Sequence, residues 1–107
     1  MCGRFIQYSS PQRYADLFGI STELSQNARY NITPGADILA CRDSSEGNKE
    51  LVPLHWGLVP SWSKGPDKRF RMINARAETV ASRPAFRGPF RHQRCLIPAD
   101  GFYEWHE

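Results

Sequence analysis

The sequence predicts an α+β domain of mostly antiparallel strands with short helices. Three observations carry that prediction. Apolar runs of strand length recur along the chain, separated by turn residues rather than by long helical patterns. One segment, Ser10 to Gly19, holds both a helix start and a helix stop. With 107 residues, 40% hydrophobic and 12% aromatic, the chain has the apolar content for a core and the length of at most one domain.

The elements follow in order. Residues 2–8 (CGRFIQY) read as a short strand. Ser10 is an N-cap type, and Pro11 suits the first helical position because it has no N–H to leave unpaired. Tyr14, Leu17 and Phe18 then share one helical face, and Gly19 stops the helix. Residues 20–35 read as loop, with Asn31 and Thr33-Pro34-Gly35 as turn signals. ADILACR and ELVPLHWGL are strands joined by the polar turn DSSEGNK. Pro60 to Asp67 is a loop carrying Trp62, and RFRMINARAE is extended. Ser82 to His92 has room for a short helix interrupted at Gly88-Pro89. RCLIPADGFYEWHE reads as two strands around Pro98-Ala99-Asp100-Gly101. FYEWHE alternates as a mid-sheet strand does, and no cap, turn or polar tail follows it. The chain is therefore expected to be part of a longer domain.

Charge is distributed unevenly. The net charge of +3 is made of −1 over residues 1–60, +7 over residues 61–95 and −3 over residues 96–107. The basic block comprises Lys64, Lys68, Arg69, Arg71, Arg76, Arg83, Arg87, Arg91 and Arg94. Arginine suits planar, bidentate contacts to phosphate, so nucleic acid is the first anionic partner to consider. Trp56, Trp62, Phe70, Phe86 and Phe90 are interleaved with the block and offer stacking faces for unpaired bases; the same pattern also fits a solvated face over core aromatics.

Other classes are excluded or left without support. No apolar run approaches the roughly 20 residues of a membrane helix, so no membrane partner is expected. MCGRFIQYSS has neither an apolar signal core nor a lipidation motif, which makes cytoplasmic residence the expectation. Cys2, Cys41 and Cys95 are far apart and form no C-x-x-C, while His55, His92 and His106 form no metal spacing. No metal site and no cofactor are expected. No Walker-type loop and no Ser-His-Asp pattern is present.

Three residues offer chemistry. Removal of Met1 would leave Cys2 with both an α-amine and a thiol, groups that ordinarily titrate near about 7.7–8.0 and about 8.5. Two nucleophiles on adjacent carbons trap an aldehyde, the amine as a Schiff base and the thiol by closing a thiazolidine ring. Asn74, in Ile73-Asn74-Ala75-Arg76, is able to orient a reacting group without adding charge. Glu104 shares a face with Phe102 and His106 under strict strand alternation, where partial burial would raise its pKa and suit proton transfer. Each has a structural reading as well: a small second residue, a satisfied amide, an exposed edge-strand carboxylate.

Five segments together resemble the successive motifs of one family. They are Met1-Cys2-Gly3-Arg4-Phe5, Tyr30-Asn31-Ile32-Thr33-Pro34-Gly35, Trp56-Gly57-Leu58-Val59-Pro60, Ile73-Asn74-Ala75-Arg76-Ala77-Glu78-Thr79 and the run from Cys95 to Trp105. In this order they resemble the SRAP family, the SOS-response-associated peptidases or abasic-site processing proteins. The resemblance covers nearly the whole chain and about the first half of a family domain, so residues 1–107 are expected to be the N-terminal part of a single SRAP domain. It implies a mixed α+β fold with a barrel-like antiparallel core. It implies that Cys2, freed of Met1, forms a thiazolidine crosslink with the ring-opened sugar of an abasic site in single-stranded DNA. Asn74 would help to place Cys2 and the opened sugar, and Glu104 would shuttle a proton near the α-amine. Arg4 and Arg76 match positions that hold phosphates; Trp62 and the Pro34-Gly35 turn match surfaces that meet the flanking bases. The peptidase label is read as removal of Met1. The family also has a catalytic histidine in a later His-x-Arg-Met-Pro-like segment, which this sequence does not contain and to which His106 is not equivalent. Two further readings stay open: a non-covalent module for single-stranded or modified-base DNA, and a cysteine peptidase.

Overall fold

The computed structural model describes residues 2–65 and 72–106, and the statements below concern those residues. Strand β1, Phe5–Gln7, alternates as the sequence demands, with Phe5 and Gln7 buried and Ile6 only half-buried. Helix α1, Pro11–Leu17, starts where expected: Ser10 is extended, and its Oγ accepts the Arg13 N–H at 3.3 Å. Gly19 follows in the left-handed region at φ 70°. The buried stripe differs from the expected one. Pro11, Tyr14 and Ala15 are buried and Phe18 packs on the core, whereas Leu17 is 75% exposed. Spacings of three and four residues from Pro11 pass through Tyr14, Ala15 and Phe18, and Leu17 falls to the other side.

The expected loop over residues 20–35 contains strand β2, Arg29–Ile32, which pairs antiparallel with β1 (Phe5 opposite Ile32). RYNI has no strong alternation, so its strand state comes from the partner rather than from local preference. Strands β3, Asp37–Asp43, and β4, Lys49–His55, form the predicted hairpin, in register from Asp37↔His55 to Asp43↔Lys49. Its turn is closed by Ser44 N–H to Asn48 O at 2.6 Å, with Gly47 at φ 84°. Pro53 is tolerated in β4 because β4 lies at a sheet edge. Of the expected extended segment, residues 69–71 lie outside the described residues; Met72 makes a single bridge to Leu58, and residues 77–83 form turns.

Helix α2, Arg87–His92, includes Gly88-Pro89 in its first turn rather than being interrupted there. Strands β5, Cys95–Leu96, and β6, Gly101–Phe102, flank the Pro98–Gly101 turn but are far shorter than FYEWHE suggested. The sheets run β2-β1-β6 and β4-β3-β5, both antiparallel. No closed barrel forms among the described residues.

Two apolar clusters make the core. One joins Phe5, Ile32 and Ile38; the other joins Tyr14, Leu39, Cys41 and Leu51, with Phe18, Ile20 and Leu24 packed against it. Gln7 ties the sheets together from full burial. Its Nε2 donates to Leu39 O (3.0 Å) and Pro98 O (2.8 Å), and its Oε1 accepts from Leu39 N–H (3.3 Å). Asp100 fastens the turn before β6 to the end of β1. Its carboxylate accepts from Tyr8 N–H (2.7 Å), Ser9 N–H (3.0 Å), Ser9 Oγ (2.6 Å) and the Tyr14 hydroxyl.

Candidate active site and nucleic-acid interface

The site is built from the start of β1 outward. Cys2 is half-buried and leans on the cluster of Phe5, Ile32 and Ile38, together with Ala36 and Trp56. Its Sγ lies 3.7 Å from Arg4 O, a weak thiol donation to the backbone two residues on, just ahead of β1. The Phe5 ring meets Trp56 edge to face, with centroids 5.2 Å apart. Trp56 is set by backbone bonds to the neighbouring turn: its N–H donates to Ala36 O and its carbonyl accepts from Gly35 N–H, both at 2.9 Å. The Pro34-Gly35 turn, with Gly35 at φ 91°, is thus fixed against the wall that supports Cys2.

Asn74 reaches Cys2. Its Nδ2 donates to the Cys2 carbonyl at 3.5 Å across 72 residues of sequence, and the Asn74 side chain is exposed. The bond is long, and it places an amide beside the residue whose amine and thiol are the candidate nucleophiles. Arg4 is oriented by Asn31 of β2, whose Oδ1 accepts its guanidinium N–H at 3.0 Å. The Arg4 carbonyl accepts from Tyr103 N–H at 3.0 Å, and the Tyr103 hydroxyl donates to Tyr30 O at 2.8 Å. These bonds bring the backbone just before Glu104 to within two residues of Cys2. Glu104 itself differs from expectation. It is exposed and lies beyond the end of β6, so alternation with Phe102 does not bury its carboxylate. The chain leaves the ladder at Phe102, and with it goes the two-residue period on which that reading depended.

Arg76 follows Asn74 by two residues and is exposed; its carbonyl accepts from Thr79 and Val80 N–H, opening a run of turns. Trp62 is 64% exposed at the rim of a hollow of about 360 Å³ lined also by Leu58, Val59, Pro60 and Met72. Arg94 lies over the Phe90 ring at 3.9 Å, so this aromatic holds an arginine rather than offering an open face. Lys68, Arg69, Phe70 and Arg71 lie outside the described residues. Of the other cysteines, Cys41 is buried in the core, and desolvation raises the Cys95 thiol above its usual range, which disfavours thiolate formation.

The structure therefore brings Cys2, Asn74, Arg4 and the Pro34-Gly35 turn into one neighbourhood, with Tyr103 beside Arg4. Sequence reasoning missed Asn31 as the group that orients Arg4 and Trp56 as the wall behind Cys2. Both stand within the motifs quoted above, one residue after Tyr30 and at the head of Trp56-Gly57-Leu58-Val59-Pro60.

These features define a class: a small antiparallel α+β domain that holds Cys2 against a core wall, beside an amide and an arginine. The chain belongs to the SOS response associated peptidase (SRAP) family, whose pattern it matches over residues 1–107. It is 44% identical over 108 residues to the abasic site processing protein YoaM of Bacillus subtilis, covering 98% of this chain and 47% of that protein. It is 34% identical over 111 residues to the abasic site processing protein YedK of Escherichia coli, covering 98% and 48%. Among solved structures, a phage-related protein from Bordetella bronchiseptica superposes with a TM-score of 0.74 at 35% identity, over 97% of this chain and 47% of that one. The chain spans about half the length of the curated relatives it matches.

Proposed function

We propose that this chain carries the nucleophilic part of an abasic-site processing domain that acts on single-stranded DNA in the DNA damage response, in the cytoplasm. Once Met1 is removed, the Cys2 amine adds to the aldehyde of the ring-opened sugar, and the aldehyde oxygen leaves as water to give a Schiff base. The Cys2 thiol then adds to the C=N carbon, its proton passing to nitrogen, and a thiazolidine closes. Nothing is oxidised or reduced. Asn74 steadies the Cys2 backbone and the opened sugar. Glu104 takes and returns the proton as the amine attacks. Arg4 and Arg76 hold phosphates on either side of the lesion, and Trp62 and the Pro34-Gly35 turn meet the flanking bases. Strands of the remaining half complete the barrel.

One observation carries this reading: the amide of Asn74 at the Cys2 carbonyl, which links two motifs 72 residues apart at the reactive residue. The names of the relatives support it. The test uses single-stranded DNA with one abasic site and a polypeptide of the family's full length. A denaturing gel is expected to show a heat-stable adduct, lost in Cys2→Ala and kept in Cys95→Ala. No adduct with the intact domain, or an undiminished adduct in Cys2→Ala, overturns the proposal. The exposed Trp62 and Arg76 also fit non-covalent binding of single strands, which would fall with salt and be indifferent to Cys2→Ser.

A further inference from the structure

Strand β2 is bulged where it passes β1. Phe5 opposes Ile32 and Gln7 opposes Arg29, so Ile6 alone faces both Tyr30 and Asn31. Simple alternation would turn one of these two side chains inward; with the bulge both are exposed. Each then reaches the outer row of β1. The Tyr30 ring stacks on Tyr8, with centroids 6.0 Å apart and planes 18° from parallel. Asn31 Oδ1 accepts from the Arg4 guanidinium at 3.0 Å. The bulge is also held from the other side of β1, where β6 lies: the Tyr103 hydroxyl donates to Tyr30 O at 2.8 Å, and the Tyr103 N–H donates to Arg4 O at 3.0 Å.

Arg4 is thus held at both ends. Its backbone is bonded to the segment after β6, and the tip of its side chain to β2. A long side chain fixed in this way loses little further rotamer freedom when a ligand arrives. The kind of partner matters as much as its position. Arg42 is paired with the Glu50 carboxylate at 2.9 Å, which offsets its charge. Arg4 is bonded to a neutral amide, which takes one N–H of the guanidinium and leaves its charge and its other donors for an anion.

We infer that Asn31 is a positioning residue for DNA: it presets Arg4 against one backbone phosphate beside the lesion without neutralising it. This rests on the reading of Arg4 as a phosphate holder given above. An aspartate at position 31 would hold Arg4 as firmly but compete with the phosphate for it, so the position calls for an amide as well as a reach.

The experiment uses a polypeptide of the family's full length that carries these residues. Its probe is a single strand with one ring-closed tetrahydrofuran abasic analogue, which presents the phosphates but no aldehyde. Fluorescence anisotropy across a salt series reads the affinity and its salt slope. Arg4→Ala is expected to lower the slope by about 0.7, the equivalent of one phosphate contact. Asn31→Ala is expected to weaken binding about threefold with the slope unchanged, because Arg4 keeps its charge but not its pose. Asn31→Asp is expected to weaken binding about tenfold and to lower the slope as Arg4→Ala does. In an Arg4→Ala background, Asn31→Ala is expected to have no further effect. A merely structural Asn31 would instead lower the melting temperature and add its loss to that of Arg4→Ala. Parental affinity in Asn31→Ala, additive losses in the double variant, or an unchanged slope in Asn31→Asp overturns the inference. The Cys2-dependent adduct on abasic DNA, measured on the parent in parallel, keeps the two readings apart. Coupling without an adduct defeats only the crosslink, and an adduct without coupling defeats only the role of Asn31.

Discussion

Replacing Asp100 by Asn keeps the shape of the side chain and removes its charge. Burial alone would raise the Asp100 carboxyl; the hydrogen bonds from Ser9, Tyr14 and Tyr8 outweigh it and hold the pKa at about 2, from an ordinary 3.8. That difference corresponds to a ceiling of about 2–3 kcal/mol, and solvent screening at a half-buried site leaves about 1–2 kcal/mol. The folded pKa is depressed, so the stabilisation is present above the unfolded pKa and lost as pH falls through the folded one. Asp100→Asn is therefore expected to melt about 4–15 °C below the parent at pH 7. The gap narrows as pH falls from about 5 to about 2, where Asp100 is half protonated, and closes below that. Tyr14, whose phenol is pushed well up by burial and by the neighbouring Asp100 carboxylate, contributes one of the donors. Tyr14→Phe is expected to cost about 1 kcal/mol and to shift the closing window upward in pH. Thermal melts by circular dichroism from pH 2 to 7 measure all of this. Equal melting temperatures at pH 7, or a gap of unchanged size at pH 2, would refute the reasoning.

Gln7→Leu strips partners from Leu39 N–H, Leu39 O and Pro98 O inside the core; urea unfolding is expected to show a loss of about 2–4 kcal/mol. Gly57→Ala places a side chain at φ 135° with its Cβ 3.4 Å from His55 Nε2, and a melting curve should register about 1–2 kcal/mol of destabilisation, almost all of it backbone strain. Arg76→Ala is expected to reduce the slope of log affinity for single-stranded DNA against log salt by about 0.7 in fluorescence anisotropy titrations, with little effect on folding because the side chain is exposed.

What could be read in advance was what the chain decides locally. Ser10-Pro11 and Gly19 bracket α1 because capping and left-handed backbone are properties of those residues, and DSSEGNK closes the β3–β4 hairpin for the same reason. β2 was not legible. Arg-Tyr-Asn-Ile becomes a strand only because β1 lies beside it, and its burial is confined to Ile32. The FYEWHE alternation misled in the opposite direction: a two-residue period holds only while a neighbour supplies hydrogen bonds, and the ladder ends at Phe102. Cys2 and Asn74 were identifiable by chemistry and Arg4 through the resemblance of its motif, but their convergence was not, since it depends on pairings and contacts distant in sequence. Asp100 stood out only as a turn residue; its role as the fastening of two distant segments has no local signature.

The pairing of β1 with β6 sets an order of events in biogenesis. Phe5 meets Phe102 and Ile6 meets Gly101, so the strand that follows Cys2 is framed on that side only by residues synthesised long after it. At ribosomal rates of about 5–20 residues per second, the beginning of the chain waits on the order of 5–20 s before that frame exists. Contacts so far apart in sequence also form late in folding. During that interval β1 has no neighbour on the side where β6 will pair. Strand β1 is thereby made early and framed late.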